Sequence, residues 1–152
     1  MTKDKGIFIK NIYYMLAYAF QVLTQRNYDH IAAEEFDEIQ DLFAAILGKG
    51  ISQQLKQGLH REYITRSEDL SIMRGKLNIN GTIRNQLQRK KNLSCEYDEL
   101  SVNNIFNQIL KTTTAVLIRD SGVKAEHKDD LKKAILFFDD VDTNEPSEIR
   151  WD

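Results

Sequence analysis

Apolar residues recur at three- and four-residue intervals through most of this chain, and the places where the interval changes mark its organisation. Ile12, Met15, Leu16, Ala19, Phe20 and Leu23 fall at helical spacing and predict a first helix over Lys10–Gln25, with a chain reversal at Asn27. Tyr13, Tyr14 and Tyr18 thicken it on more than one face. It therefore reads as a core helix buried on most sides, its phenol oxygens needing partners. Phe36, Ile39, Phe43, Ile46, Leu47, Ile51 and Leu55 predict a second helix over Ala33–Gln57. Glu34, Glu35, Asp37 and Glu38 would sit at its N-terminal end, where the helix dipole favours them, and Gly58 is a natural stop. Gly48 and Gly50 interrupt it at about 1 kcal/mol each relative to alanine, which a close helix–helix approach would explain.

The period then shortens. Tyr63, Ile64, Thr65, Leu70, Ile72, Leu77 and Ile79 predict two or three short strands, with Arg74-Gly75-Lys76 as a turn whose glycine supplies a backbone angle other residues resist. Asn80-Gly81 ends that section, and Thr82 is the expected N-cap of a helix from Ile83 to Lys90 carrying Ile83 and Leu87 inward. Ser94–Asp98 predicts a further strand, paired with an earlier one. Ser101 is the expected cap of a helix over Val102–Arg119, closed by Gly122, with Val102, Ile105, Phe106, Ile109, Leu110, Thr113, Val116 and Leu117 as its buried face. A last helix follows over Ala125–Phe138. The expected fold class is α+β and predominantly helical, with four to five helices and a small antiparallel β element at about 60–98. Residues 1–140 are expected to form one domain. Residues 141–152, where Asp142, Glu145 and Glu148 surround the only proline, Pro146, are expected to be an acidic linker.

Composition adds limits. The 152 residues suffice for one domain with a real core. Lys plus Arg number 21 against 23 Asp plus Glu, a net charge of −2, which argues against a dedicated nucleic-acid binder. Against that background one stretch stands out. Between Ser71 and Asn92 lie Arg74, Lys76, Arg84, Arg89, Lys90 and Lys91 and no carboxylate. Such a block is an electrostatic surface for DNA phosphates, or for an acidic groove on a protein partner, or simply a solvated helix face. It holds no aromatic residue to stack on bases, which tilts the reading toward backbone contacts only or toward a protein.

Catalytic signals are weak. Cys95 is the sole cysteine, so neither an intrachain disulfide nor a thiolate zinc cluster can form, and it reads as a small apolar strand residue. His30, His60 and His127 share no metal-binding spacing, and Gly48-Lys49-Gly50-Ile51-Ser52 lacks the full phosphate-loop pattern. Glu126-His127-Lys128 and Asp130-Leu131-Lys132 fit a carboxylate-x-Lys pattern behind Asp120, yet both fall in a polar helical stretch without an apolar strand to seat a metal. No catalytic and no metal-binding residue is assigned. The apolar stretch from Ile12 to Leu23 is shorter than the roughly 20 residues a bilayer span takes, and the chain reads as cytoplasmic, with no membrane partner.

Three blocks carry more information together than any does alone. The first is Ile7-Phe8-Ile9-Lys10-Asn11-Ile12-Tyr13-Tyr14-Met15-Leu16-Ala17-Tyr18-Ala19-Phe20. The second is Met73-Arg74-Gly75-Lys76-Leu77 followed by Thr82-Ile83-Arg84. The third is Tyr97-Asp98-Glu99-Leu100-Ser101 with Asn103-Asn104 and Asn107-Gln108-Ile109-Leu110-Lys111. In this order they resemble the N-terminal portion of the McrC family, the nuclease-bearing subunit of the McrBC restriction system that cleaves 5-methylcytosine-modified DNA. The resemblance implies docking on a ring of GTP-hydrolysing AAA+ subunits (McrB), stimulation of that hydrolysis, and contact with modified DNA through the full complex. It also implies a Mg²⁺-dependent PD-(D/E)xK nuclease, but C-terminal to the matched part, so that 141–152 would lead toward a domain this chain lacks. No cofactor is expected in the chain itself; GTP would sit on the partner.

On that reading Arg74, Gly75, Lys76 and Arg84 are the expected ring contacts, with Arg89, Lys90 and Lys91 as further partner or phosphate contacts. Asp98, Ser101, Asn103, Asn104 and Asn107 are expected to order the strand-to-helix junction, since such side chains favour local backbone bonds. The alternative is a small DNA-binding module using the 74–91 cations on phosphates.

Overall fold

The computed structural model describes residues 2–19 and 29–151. The expected helix end at Phe20, Leu23 and Gln25 and the reversal at Asn27 lie outside the described residues. In chain order the elements are α1 (Thr2–Ala19), α2 (Asp29–Ala33), α3 (Ile39–Gln57), β1 (Glu62–Leu70), β2 (Lys76–Leu77), α4 (Ile79–Leu87), β3 (Leu93–Ser101), α5 (Ile105–Arg119) and α6 (Ala125–Ile135), then short 3₁₀ turns at Leu136–Phe138 and Pro146–Glu148. The fold is α+β and mostly helical, as the periodicity predicts. It divides into two compact units, residues 1–59 with 105–152, and residues 60–104. No described helix is long and apolar enough to cross a membrane.

The first unit is helical. α1 buries one stripe, Ile9, Tyr13 and Ala17, against Ile31, Phe36 and Leu42, with Ile12 and Leu16 packed at the margin. It is not the helix buried on most sides that its tyrosines suggested: Ile7, Phe8, Tyr14, Met15 and Tyr18 are exposed, because only one stripe meets the α2–α3 layer. The second helix begins at Ile39 rather than Ala33. Glu38 is extended at φ −127° and ψ 145°, and the backbone before it turns Phe36 into the core. α3 then runs unbroken through both glycines. A Cβ on Gly48 would lie at ordinary contact distance, 3.7 Å from Leu131 Cδ2 and 3.9 Å from Asp130 Cβ, so α3 faces α6 here with room for an alanine, and the packing does not require the glycine. Ala44, Leu117, Val123 and Leu131 form the second core between α3, α5 and α6.

α5 starts at Ile105, three residues later than expected, and buries only part of the expected face. Its buried residues are Asn107, Thr114 and Leu117, whereas Ile105, Phe106 and Val116 are exposed. Thr114 Oγ1 donates to Leu110 O at 2.7 Å, which satisfies the hydroxyl inside the helix. Lys111 Nζ donates to Phe138 O at 2.9 Å and Val141 O at 2.5 Å, and Val141 is buried.

The second unit is a three-stranded antiparallel sheet of order β1-β3-β2 with α4 inserted between β2 and β3. β1 and β3 pair along their length from Glu62↔Ser101 to Leu70↔Leu93, and β2 adds Lys76↔Glu96 and Leu77↔Cys95. Cys95 is buried in the central strand. α4 corrects two expectations. Its cap is Asn78, whose Oδ1 accepts from Gly81 N at 3.1 Å, so Asn80-Gly81 opens the helix instead of ending the strands. Thr82 lies inside it, bonded through Oγ1 to Asn78 O at 2.8 Å. And its buried residues are Thr82 and Asn85, while Ile83 and Leu87 face solvent.

Candidate partner-docking surface

The Arg74-Gly75-Lys76 turn is set by glycine at two levels. Gly75 has φ +66°, in the left-handed region, and a Cβ there would meet Glu96 O and lie 2.6 Å from Tyr97 Cβ. Only a residue without a side chain lets the turn press this close to β3. Lys76 then enters β2 opposite Glu96, and the Arg74 guanidinium lies 4.0 Å from the centroid of the Tyr97 ring, a cation–π contact. The Tyr97 hydroxyl donates to Glu68 Oε2 at 3.0 Å. That bond to Glu68 is the main cause holding the phenol above its ordinary value of 10.0, with desolvation and the Glu68 charge acting the same way and Arg74 opposing. Thr65, Arg74, Gly75, Lys76, Glu96, Tyr97 and Asp98 line an open groove, and Thr65 Oγ1 donates to Asp98 Oδ1 across the ladder at 2.8 Å.

Arg84 stands on α4, and Arg89, Lys90 and Lys91 follow its C-terminus, where cations complement the helix dipole. Arg89 itself sits at φ +58°, a conformation usually left to glycine or asparagine at a helix end. None of the six cations makes an ion pair among the described residues; those of this unit are His60–Glu62 and Arg66–Glu99. The cations therefore sit on one compact unit but on three local elements: the turn, the helix and its exit.

At the strand-to-helix junction, Ser101 Oγ accepts from Asn103 N at 3.0 Å, and Asn104 Nδ2 donates to His60 O at 2.9 Å and to Ser101 O at 3.4 Å. Asn104 is buried there, and Asn107 is fully buried on α5. Ser101 thus forms a local turn before the helix, which is why α5 starts late.

A family model described as the McrBC 5-methylcytosine restriction system component matches residues 3–150. The chain belongs to the McrBC family. The type IV methyl-directed restriction enzyme EcoKMcrBC of Escherichia coli K12 is 29% identical over 125 residues, covering 82% of this chain and 36% of the relative, so the chain spans about a third of that protein's length. Two solved structures share the fold. The Thermococcus gammatolerans McrBC complex matches with TM-score 0.63 at 21% identity, over 82% of this chain and 40% of that one. A half-complex from a tetradecameric assembly of Thermococcus gammatolerans McrB AAA+ hexamers with bound McrC matches with TM-score 0.61 at 23% identity, over 77% and 29%.

The McrBC-family chain also holds a polar centre that sequence reasoning missed. His127 Nδ1 lies 2.7 Å from Asp41 Oδ1 and its Nε2 lies 3.3 Å from Glu34 Oε1. The Lys124 backbone N–H donates to Asp41 Oδ1 at 2.8 Å, and its ammonium lies 3.7 Å from Asp41 Oδ2 and 3.9 Å from Glu34 Oε1. Glu34, Asp41 and His127 are the one group of three metal-ligand-type side chains among the described residues. The Lys124 ammonium lies within 4 Å of both carboxylates, so the cluster is best read as a polar lock joining the start of α3 to α6. Asp41 and His127 are 86 residues apart, and no local spacing could have announced them. Glu126 of the carboxylate-x-Lys pattern is exposed in the first turn of α6, and Asp130 pairs with Lys133 at the surface at 3.8 Å.

Proposed function

We propose that this chain is the N-terminal, coupling portion of a McrC-like subunit: it docks on a McrB-like AAA+ ring, stimulates GTP hydrolysis there, and links the ring to a nuclease that cleaves modified DNA. The observation that carries the reading is the family match over nearly the whole chain, together with a fold shared with McrC bound to McrB AAA+ hexamers. Residues 1–140 would be the coupling portion, in a cytoplasmic setting, and 141–152 would lead toward the nuclease. GTP would belong to the ring and Mg²⁺ to the nuclease module, and no step is assigned to either on this chain.

Within the chain, the Arg74-Gly75-Lys76 turn is the proposed ring contact, with Arg84 and the Arg89–Lys91 run supporting it. Its cations make no ion pair among the described residues, and the arginine fork can bridge carboxylates or backbone carbonyls once water is excluded. The test is size-exclusion chromatography of the chain with its cognate AAA+ subunit and GTP analogue. Co-elution that is lost in Arg74→Ala/Lys76→Ala is the expected result. The second reading, a DNA-binding module, rests on the same cations and requires salt-dependent duplex binding that weakens when Arg89, Lys90 and Lys91 are neutralised. The exposed apolar side of α4 favours the first.

A further inference from the structure

α4 is amphipathic, and it is folded inside out. Thr82 and Asn85 face the sheet: Thr82 Oγ1 accepts from Ser94 N at 3.0 Å, and Asn85 Nδ2 donates to Asp69 Oδ1 at 2.8 Å and to Asn92 O at 3.5 Å. Rotated away from them stand Ile79, Ile83 and Leu87, at 66%, 50% and 81% exposure. Their i, i+4, i+8 spacing makes one straight ridge along two turns of helix. A surface helix ordinarily turns such a stripe to the core, and a contiguous exposed one marks a place where something docks.

We propose that this ridge is the seat of an acidic amphipathic helix presented by a protein partner. The inference deepens the docking reading given above by naming the chemistry of the partner's surface. Charge decides the occupant. Arg84 flanks the ridge on the helix itself, Arg89, Lys90 and Lys91 follow its end, and no carboxylate occurs from Ser71 to Asn92. An apolar stripe edged with glutamates or aspartates would bury the isoleucines and leucine while its flanks meet these cations, which also steer the encounter. Duplex DNA would use the cations alone. Its hydrated phosphate backbone offers nothing for Ile79, Ile83 and Leu87 to bury against. A basic partner helix would be repelled.

The experiment uses the full chain and a fluorescent helical peptide with leucines at i, i+4 and i+8 and glutamates on its flanks, read by anisotropy. A scrambled peptide of identical composition is the control. The expected result is at least tenfold tighter binding of the ordered peptide, lost in Ile83→Glu and in Leu87→Glu, weakened by salt, and unaffected by competing duplex DNA. Both substitutions are at exposed positions, and matching thermal melts would show that the fold is kept. Equal binding of ordered and scrambled peptides, binding indifferent to Ile83→Glu, or displacement by duplex DNA would each overturn the proposal. So would concentration-dependent self-association abolished by Ile83→Glu, which would make a second copy the occupant. Ring binding is measured separately: a chain that binds the AAA+ subunit but ignores the peptide loses this inference and keeps the docking reading.

Discussion

Asn85 donates from Nδ2 to Asp69 Oδ1 at 2.8 Å, tying α4 to β1 by its polar side and leaving its apolar side in solvent. Asn85 is 5% exposed, while Asp69 stands at the surface, so the bond joins a buried amide to a solvated carboxylate. Asn85→Ala removes the donor to Asp69 and to the half-buried Asn92 carbonyl. Water can reach the exposed Asp69, so the expected loss is that of an ordinary hydrogen bond, about 0.5–1.5 kcal/mol of stability, with faster amide exchange confined to residues 78–92, measured by urea denaturation and hydrogen exchange.

Two glycines should respond with opposite signs to the same change. Gly75→Ala would place a methyl group against Glu96 and Tyr97 backbone in a left-handed conformation, and it should lower stability by more than the 1–2 kcal/mol of the backbone angle alone. Gly48→Ala adds a methyl at ordinary contact distance from Leu131 inside α3, and it should raise stability by up to about 1 kcal/mol. Thermal melts of the two variants check both signs.

The buried pair of Asp41 and His127 should behave unlike any surface ion pair of the chain. Asp41→Ala leaves His127 Nδ1 and the Lys124 backbone N–H without their acceptor, Glu34 still facing His127 Nε2, and should cost about 2–3 kcal/mol. Arg66→Ala breaks the Arg66–Glu99 contact, where both side chains are 41% exposed, and should cost less than about 1 kcal/mol. Only the second effect should shrink in high salt, which denaturation at two ionic strengths would reveal.

Tyr97 gives a pH test. Its phenol is held above 10.0 in the folded chain, so the fold binds that proton more tightly than the unfolded chain does. The associated stability is present below the unfolded phenol value and is lost as pH rises through the folded one. Glu68→Gln should bring the Tyr97 titration down toward 10.0, because the hydrogen bond to Glu68 is the leading cause of the shift. Resonances of the Tyr97 ring followed by NMR from pH 9 upward would show it.

The sequence was most readable where one local rule decided the outcome. The glycine turn before β2, the pairing of the 94–98 strand with an earlier one and the helix from Ala125 all followed from such rules. It misled where tertiary bonds overrode periodicity. Ile83 and Leu87 carry an ordinary core pattern, yet Thr82 and Asn85 find partners 12 and 16 residues away and claim the inner side. Met15 and Tyr18 on α1 and Phe106 on α5 likewise face solvent despite apolar spacing. The cations of the candidate surface were legible as a run. Their placement on a turn, a helix and a helix exit was not, because the sheet register sets it. The lock at Asp41 was invisible, since its partners come from both ends of the chain.

The central claim is coupling to a GTPase ring, and the rate of GTP hydrolysis by the cognate AAA+ subunit tests it most directly. The account predicts that adding this chain raises the rate and that Arg74→Ala/Lys76→Ala abolishes the rise while the chain stays folded, the lost contact with Tyr97 lowering the melting temperature by only a few degrees. A rate unchanged by saturating chain, alongside salt-dependent binding of the chain to duplex DNA, would contradict it.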